Sequence, residues 1–121
     1  MCSSDLTYFI QRLLGTPRAF EWMTSNRRLT AAEAHAWGLV SEVIEADSFA
    51  ARVAERAAEL AAAPTRAIAL TKRLYDKAGI STLEEQLERE AEAQAEAART
   101  DDFREGVAAF GEKRSPEFRG R

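Results

Sequence analysis

The amino-acid sequence predicts a mainly α-helical chain with one short strand near 39–44. Three observations lead there. The hydrophobic fraction of 45% leans on alanine, the strongest helix former but a poor contributor of buried area. Apolar residues recur at three- and four-residue spacing between recognisable caps. Only Leu39-Val40-Ser41-Glu42-Val43-Ile44 is enriched in β-branched residues over a strand length. At 121 residues the chain is one domain at most.

Taken in order, Asp5 is a plausible cap for a helix over Thr7 to Leu14, whose Tyr8, Phe9, Ile10, Leu13 and Leu14 leave it apolar on nearly every face. Gly15 stops it. Pro17 suits the first turn of a second helix, 17–24, which is expected to turn Phe20 and Met23 inward. Residues 25–28 read as a turn. Thr30-Ala31-Ala32-Glu33 has the form of a capping box, and Gly38 can close that helix in a left-handed conformation. The strand follows, with no good partner strand in the chain. Asp47 or Ser48 opens a helix to about Ala61, with Phe49, Val53, Ala57 and Leu60 on one face. Pro64-Thr65 introduces a helix of 65–78 ended by Gly79. Ser81 with Glu84 has capping-box spacing, and Leu83, Leu87, Ala91, Ala95 and Ala98 form a narrow stripe along a long helix to Arg99. A last helix covers 103–113. Ala-rich stretches do not repeat with a fixed period.

Charge narrows the function. The formal net charge of −3 gives no electrostatic support for nucleic-acid binding. No stretch reaches the roughly 20 apolar residues of a membrane span, and the start MCSSDL has no signal-peptide pattern, so the cytoplasm is the expected location. One cysteine, Cys2, argues against a disulfide scaffold, and with the single His35 against a Cys/His metal site. From Ser81 to Glu105 nine acids stand against three bases, whereas Lys113, Arg114, Arg119 and Arg121 make the C-terminal end basic.

His35 has no Ser, Cys or carboxylate arrangement around it that would make it a catalytic base, and the Glu-rich face reads as solvated. No phosphate loop or calcium-loop spacing is present. The best candidates for ligand contact are Phe110 and Lys113, three residues apart on one helix side. One can pack on a planar group while the other meets phosphate. The plainer alternative is that Phe110 packs in a helical core and Lys113 neutralises a helix C-terminus.

Several separated motifs together resemble the enoyl-CoA hydratase/isomerase (crotonase) superfamily. They are Thr7 to Gly15, Leu29-Thr30-Ala31-Ala32-Glu33-Ala34, Trp37-Gly38-Leu39-Val40, Pro64-Thr65, Thr100-Asp101-Asp102-Phe103-Arg104-Glu105-Gly106, Ala109-Phe110 and Glu112-Lys113-Arg114. The pattern looks most like the epoxyphenylacetyl-CoA isomerase branch or a related enoyl-CoA hydratase. The resemblance covers 7–121 and implies the C-terminal half of the family's ββα-spiral fold, with 7–62 ending the core region and 63–121 forming the helical tail. Residues 1–6 lack the glycines the family carries there and read as an atypical start, either a remodelled turn or foreign sequence. The implied chemistry is on acyl-CoA thioesters, through an enolate held by two backbone N–H groups, with coenzyme A carried by the substrate and no prosthetic group. It also implies a homo-trimer or hexamer when full length. Because the family's catalytic positions precede Thr7, the expectation is an inactive fragment with no catalytic residue of its own; the alternative is a non-catalytic CoA-binding or helical oligomerisation module. By this resemblance, Phe110 and Lys113 match the C-terminal segment that can line the CoA nucleotide pocket of a neighbouring subunit. In a lone chain, Thr7–Leu14 and 39–44 should leave apolar or unpaired surface exposed.

Overall fold

Gly15, at φ 74°, turns the chain between its first two helices, α1 (Leu6–Leu14) and α2 (Thr16–Ser25). The computed structural model describes residues 6–121, and the chain divides into two units, one running to Phe49 and one of Ala50–Arg121. Asp5 as a helix cap, Cys2 and the 1–5 part of the supposed foreign start lie outside the described residues.

In the first unit α1 packs on α2, and Ile10 and Ala19 are the buried apolar side chains of the pair. Ala19 takes the inward position expected of Phe20, which is exposed. A small side chain permits close helix approach where a phenyl ring would hold the backbones apart. Tyr8, Phe9 and Leu13 are exposed as expected. Asn26, in the left-handed region at φ 54°, ends α2.

The helix α3 (Ala31–Ala36) carries the expected capping box. Glu33 N–H donates to Thr30 Oγ1 at 3.2 Å, and Thr30 N–H donates to Glu33 Oε2 at 3.0 Å. The backbone N–H of Thr30, then its hydroxyl, then Arg27 hold the Glu33 carboxyl below the usual carboxylate range. At the other end Gly38 lies at φ 76° and donates to His35 O at 2.9 Å, while Leu39 N–H reaches Ala34 O at 2.8 Å. This is a Schellman closure, which a side chain at Gly38 would strain. Trp37 beside it meets two guanidinium groups, Arg27 at 4.9 Å and Arg18 at 5.2 Å from its ring centre.

The strand predicted at 39–44 is not formed, and no strand occurs among the described residues. The fold is therefore mainly α, and the expected strand-bearing end of a ββα spiral is corrected. β-branched side chains favour a pleated surface only where a neighbouring strand supplies the ladder, and none is offered. Leu39 also spends its N–H on the cap of α3.

The helix α4 (Ala46–Ala61) leads into the second unit. Its Phe49, Val53 and Leu60 are exposed, and Arg52–Glu55 and Arg56–Glu59 pairs lie along it at 2.5 Å. Next, α5 (Thr65–Ala78) and α6 (Leu83–Ala97) pack as a hairpin around buried Leu70. The narrow apolar stripe of Leu83, Leu87, Ala91, Ala95 and Ala98 is exposed, and Gln86, Ala93, Glu96 and Ala97 are the half-buried positions of the helix. Gln86 Nε2 donates to Leu74 O at 3.4 Å, and Glu96 pairs with Arg66 and, at 3.3 Å, with Arg73 of α5. Small alanines and cross-helix polar contacts set this interface. No helix among the described residues is long and apolar enough to cross a membrane.

The cap of α6 sits one residue later than the sequence suggests. Thr82 Oγ1 accepts from Glu85 N–H at 3.2 Å, and Glu85 Oε2 accepts from Thr82 N–H at 3.0 Å. Ser81 is already engaged, its hydroxyl donating to Lys77 O at 3.1 Å. Thr82→Ala should therefore lower stability by about 1 kcal/mol in urea denaturation, and Ser81→Ala by clearly less. Equal losses would contradict this assignment.

Candidate functional site

The last helix, α7 (Asp101–Glu112), begins at a Thr100 cap whose Oγ1 accepts from Phe103 N–H at 3.1 Å. It starts two residues before the position expected from sequence, because Asp101 and Asp102 suit a helix N-terminus. Ala109 on its inner side is 1% exposed. The helix closes in a second Schellman arrangement: Lys113 N–H donates to Phe110 O at 3.3 Å, and Arg114 N–H to Ala109 O at 3.0 Å. Here the left-handed residue is a lysine, Lys113, at φ 55°.

After Lys113 the chain reverses and runs back along α7. Arg114 grips Glu105 with both guanidinium arms, at 2.5 and 3.0 Å, and its Nε reaches Glu112 Oε2 at 2.6 Å. Glu117 N–H donates to Glu105 Oε1 at 2.9 Å. The Phe118 ring lies over Gly106; a Cβ there would meet Phe118 Cε1 at 3.6 Å. Arg119 N–H and Gly120 N–H donate to the two oxygens of Asp102, at 2.7 and 2.8 Å, and Asp102 N–H donates to Arg121 O at 2.9 Å. Asp102 is 4% exposed, the one buried charged side chain among the described residues. Gly120 takes φ 75° against α5, where a Cβ would come within 2.5 Å of Thr65 Oγ1.

This return path builds two adjoining surfaces. One is an apolar groove of about 370 Å³, lined by Pro64, Ala67 and Ala97 with Phe103, Val107, Phe110 and Phe118. The other is a polar cleft containing Asp101, Asp102, Glu105, Arg114, Arg119 and Arg121. Arg114, then the Glu117 N–H, hold the Glu105 carboxyl down at about 2, and the same pairing raises the Arg114 guanidinium.

Of the two sequence candidates, Phe110 lines the apolar groove and is 88% exposed, so it does not pack in a helical core. Lys113 lies outside the groove at the end of the helix, and its side chain forms no ion pair among the described residues. His35 is exposed, and no metal-binding cluster of His, Cys, Asp or Glu occurs among the described residues. Asp102, Glu105 and Phe118 are missed as a set by sequence reasoning. The two acids look like part of a solvated acidic face, and the only local signal for their role is the basic, Gly-punctuated tail they capture.

The Enoyl-CoA hydratase/isomerase family model matches residues 2–121. The chain is 36% identical over 115 residues to 1,2-epoxyphenylacetyl-CoA isomerase of Escherichia coli (strain K12), covering 95% of this chain and 44% of that protein. It is 37% identical over 113 residues to 4-chlorobenzoyl coenzyme A dehalogenase-1 of Arthrobacter sp, covering 93% and 40%. A crystal structure of enoyl-CoA hydratase/isomerase from Cupriavidus metallidurans CH34 superposes with a TM-score of 0.89 at 38% identity, covering 96% of this chain and 44% of that one. The chain belongs to the enoyl-CoA hydratase/isomerase family.

The match extends over nearly the whole chain and takes in residues 2–6. It corrects the reading of a C-terminal half preceded by foreign sequence. The inference of an inactive fragment, which rested on a match beginning at Thr7, loses its basis. The chain spans less than half the length of these relatives.

Glu105 makes tail docking acid-sensitive in a defined direction. Its pKa is depressed from the ordinary value of 4.5 to about 2, so its contribution is complete above the ordinary value and is lost as pH falls toward about 2. The Glu117 amide shift, followed by NMR, should accordingly stay flat from about pH 8 to 5 and move only at lower pH. Glu105→Gln should abolish that low-pH step.

Proposed function

We propose that this chain serves chemistry on acyl-CoA thioesters, in acyl-CoA metabolism of the fatty-acid type in the cytoplasm, and that Phe110 and Lys113 meet the nucleotide end of coenzyme A. The carrying observation is an 88% exposed phenyl ring one turn before a lysine held in a left-handed backbone. A non-glycine residue in that conformation costs about 1 kcal/mol, and such strain gathers at functional positions. Phenyl and ammonium groups at that separation suit a ligand with a planar base near phosphates: the ring packs on the base and the ammonium acts as a point charge. Family membership and relatives whose names specify CoA thioesters support the same ligand class.

The reaction class follows from thioester chemistry. A proton on the carbon α to a thioester carbonyl is acidic only if the enolate oxygen is stabilised as it forms, which preorganised N–H donors do well. A carboxyl group placed near that carbon can then move the proton, for hydration of a double bond or for its migration. No residue of this chain is assigned to those two tasks. Coenzyme A enters with the substrate rather than as a resident group. The exposed apolar faces of α1 and α4 support association of copies, and a homo-trimer or hexamer is the assembly proposed.

Calorimetric titration with coenzyme A tests the ligand assignment. Lys113→Ala should weaken binding about tenfold, as expected for loss of one charge-assisted phosphate contact, and Phe110→Ala should weaken it as well. Unchanged affinity in both variants would remove the assignment.

A further inference from the structure

We propose that copies of this chain join head to tail, the basic apolar face of α1 on one copy docking against the acidic apolar stripe of α6 on the next. The inference rests on the proposed homo-trimer or hexamer and deepens it by naming the two surfaces that meet.

The first surface lies on α1. Phe9 and Leu13, 59% and 57% exposed, stand one helical turn apart. Arg12 is beside them, its guanidinium 3.6 Å from the Tyr8 ring centre and its Nη1 donating to Tyr8 O at 2.9 Å. It meets no carboxylate among the described residues. Over residues 6–28, which hold α1 and α2, Arg12, Arg18, Arg27 and Arg28 stand against Glu21 alone.

The second surface has the same spacing and the opposite sign. Leu83 and Leu87, 70% and 55% exposed, stand one turn apart on α6, and exposed Ala91 and Ala95 continue the line. Beside them run Glu84, Glu88 and Glu92, all exposed and none in an ion pair among the described residues. Along the whole of α6, Arg89 is the one base against six glutamates. Carboxylates four residues apart on a helix repel one another, so this row weakens the helix that bears it. The contrast is α4, which sets Arg52 against Glu55 and Arg56 against Glu59. A row of like charge beside exposed leucines fits a cationic apolar partner.

That partner is α1 of another copy. A self-complementary patch closes as a two-fold dimer, whereas a ring of three needs two different faces that fit each other. Opposite charge on α1 and α6 makes them such a pair and fixes which face meets which. The exposed Phe49, Val53 and Leu60 of α4 do not serve, because the arginines of that helix are paired with its own glutamates.

Analytical ultracentrifugation of the full chain tests the contact. Association should weaken about tenfold or more as salt rises from about 0.05 to about 0.5 M. Arg12→Glu should weaken it about tenfold or more at low salt, and so should Glu88→Arg. Glu88→Arg should also raise the thermal midpoint of the dissociated chain, followed by circular dichroism, because it breaks the repulsive row. Damage to the fold would instead lower both. Mixing the two variants should restore association, since each supplies the face that the other lacks. Association that neither variant changes, or that mixing fails to restore, would overturn the contact and leave the proposed assembly standing through other faces. A mass that stops at two copies would overturn the head-to-tail arrangement. A monomer at every concentration would remove the assembly and the contact together.

Discussion

Asp102 places a carboxylate where only 4% of the residue meets solvent, a location that is costly for a charge unless its oxygens are fully engaged. Both are, by consecutive amides of the tail, Arg119 and Gly120. Consecutive N–H groups reach the two oxygens of one carboxylate only if the chain bends sharply between them, and Gly120 at φ 75° provides that bend. The bend also brings Gly120 against Thr65 at the start of α5, too close for a Cβ. One carboxylate thus fixes the start of α7, the end of the chain and the start of α5 relative to one another. The apolar groove exists because these three elements are held together there.

This dependence on polar fastening follows from composition. Buried apolar side chains among the described residues are Ile10, Ala19, Leu70 and Ala109, and two of those are alanines. Alanine favours helix strongly but contributes little when removed from water. The helices are therefore defined by their ends, at Thr30, Thr82 and Thr100, at Gly38 and at Lys113. They are joined by contacts such as Glu96 with Arg66 and Arg73, which are exposed and individually weak. Larger apolar residues, including Phe9, Phe49, Leu60 and Leu87, remain in solvent.

What could be read from sequence was what is encoded within a few residues. The Thr30–Glu33 box, the Gly38 closure, the Pro17 start and the 65–78 helix depend on neighbours along the chain, and each was legible. The strand at 39–44 failed because β propensity describes fit to a partner that this chain does not supply. Ser81 and Thr82 both had correct capping spacing, and the choice between them turned on Lys77 O, which takes the Ser81 hydroxyl. The apolar stripe of α6 was legible as a pattern, but spacing alone does not say that Leu83 and Leu87 stay exposed while Ala93 and Ala97 are half-buried. Phe110 stands out in sequence by its spacing and family motif, but the groove that it lines does not. Asp102 was not legible: its burial comes from the tail returning from 17 and 18 residues away, and no local pattern marks that closure.

Lys113 joins these strands of reasoning. Its left-handed backbone is required by the chain reversal, since the tail can reach Glu105 and Asp102 only if α7 ends there in a tight turn. Glycine would meet that requirement with no steric cost, as it does at Gly38. The tail therefore accounts for the conformation but not for the residue. A lysine at this position carries about 1 kcal/mol of backbone cost that glycine would avoid. Its ammonium offsets that cost through no ion pair among the described residues, although Arg114 next to it finds two glutamates. Favourable placement near a helix C-terminus recovers only a few tenths of a kcal/mol to about 1 kcal/mol at an exposed site, and a lysine elsewhere in the last turn would provide the same without strain. Under the proposed function, an ammonium at the turn into the tail, one helical turn beyond an exposed ring, would meet the phosphates of the ligand. Backbone geometry and side-chain chemistry thus make separate demands on Lys113, and the proposed ligand contact answers the second.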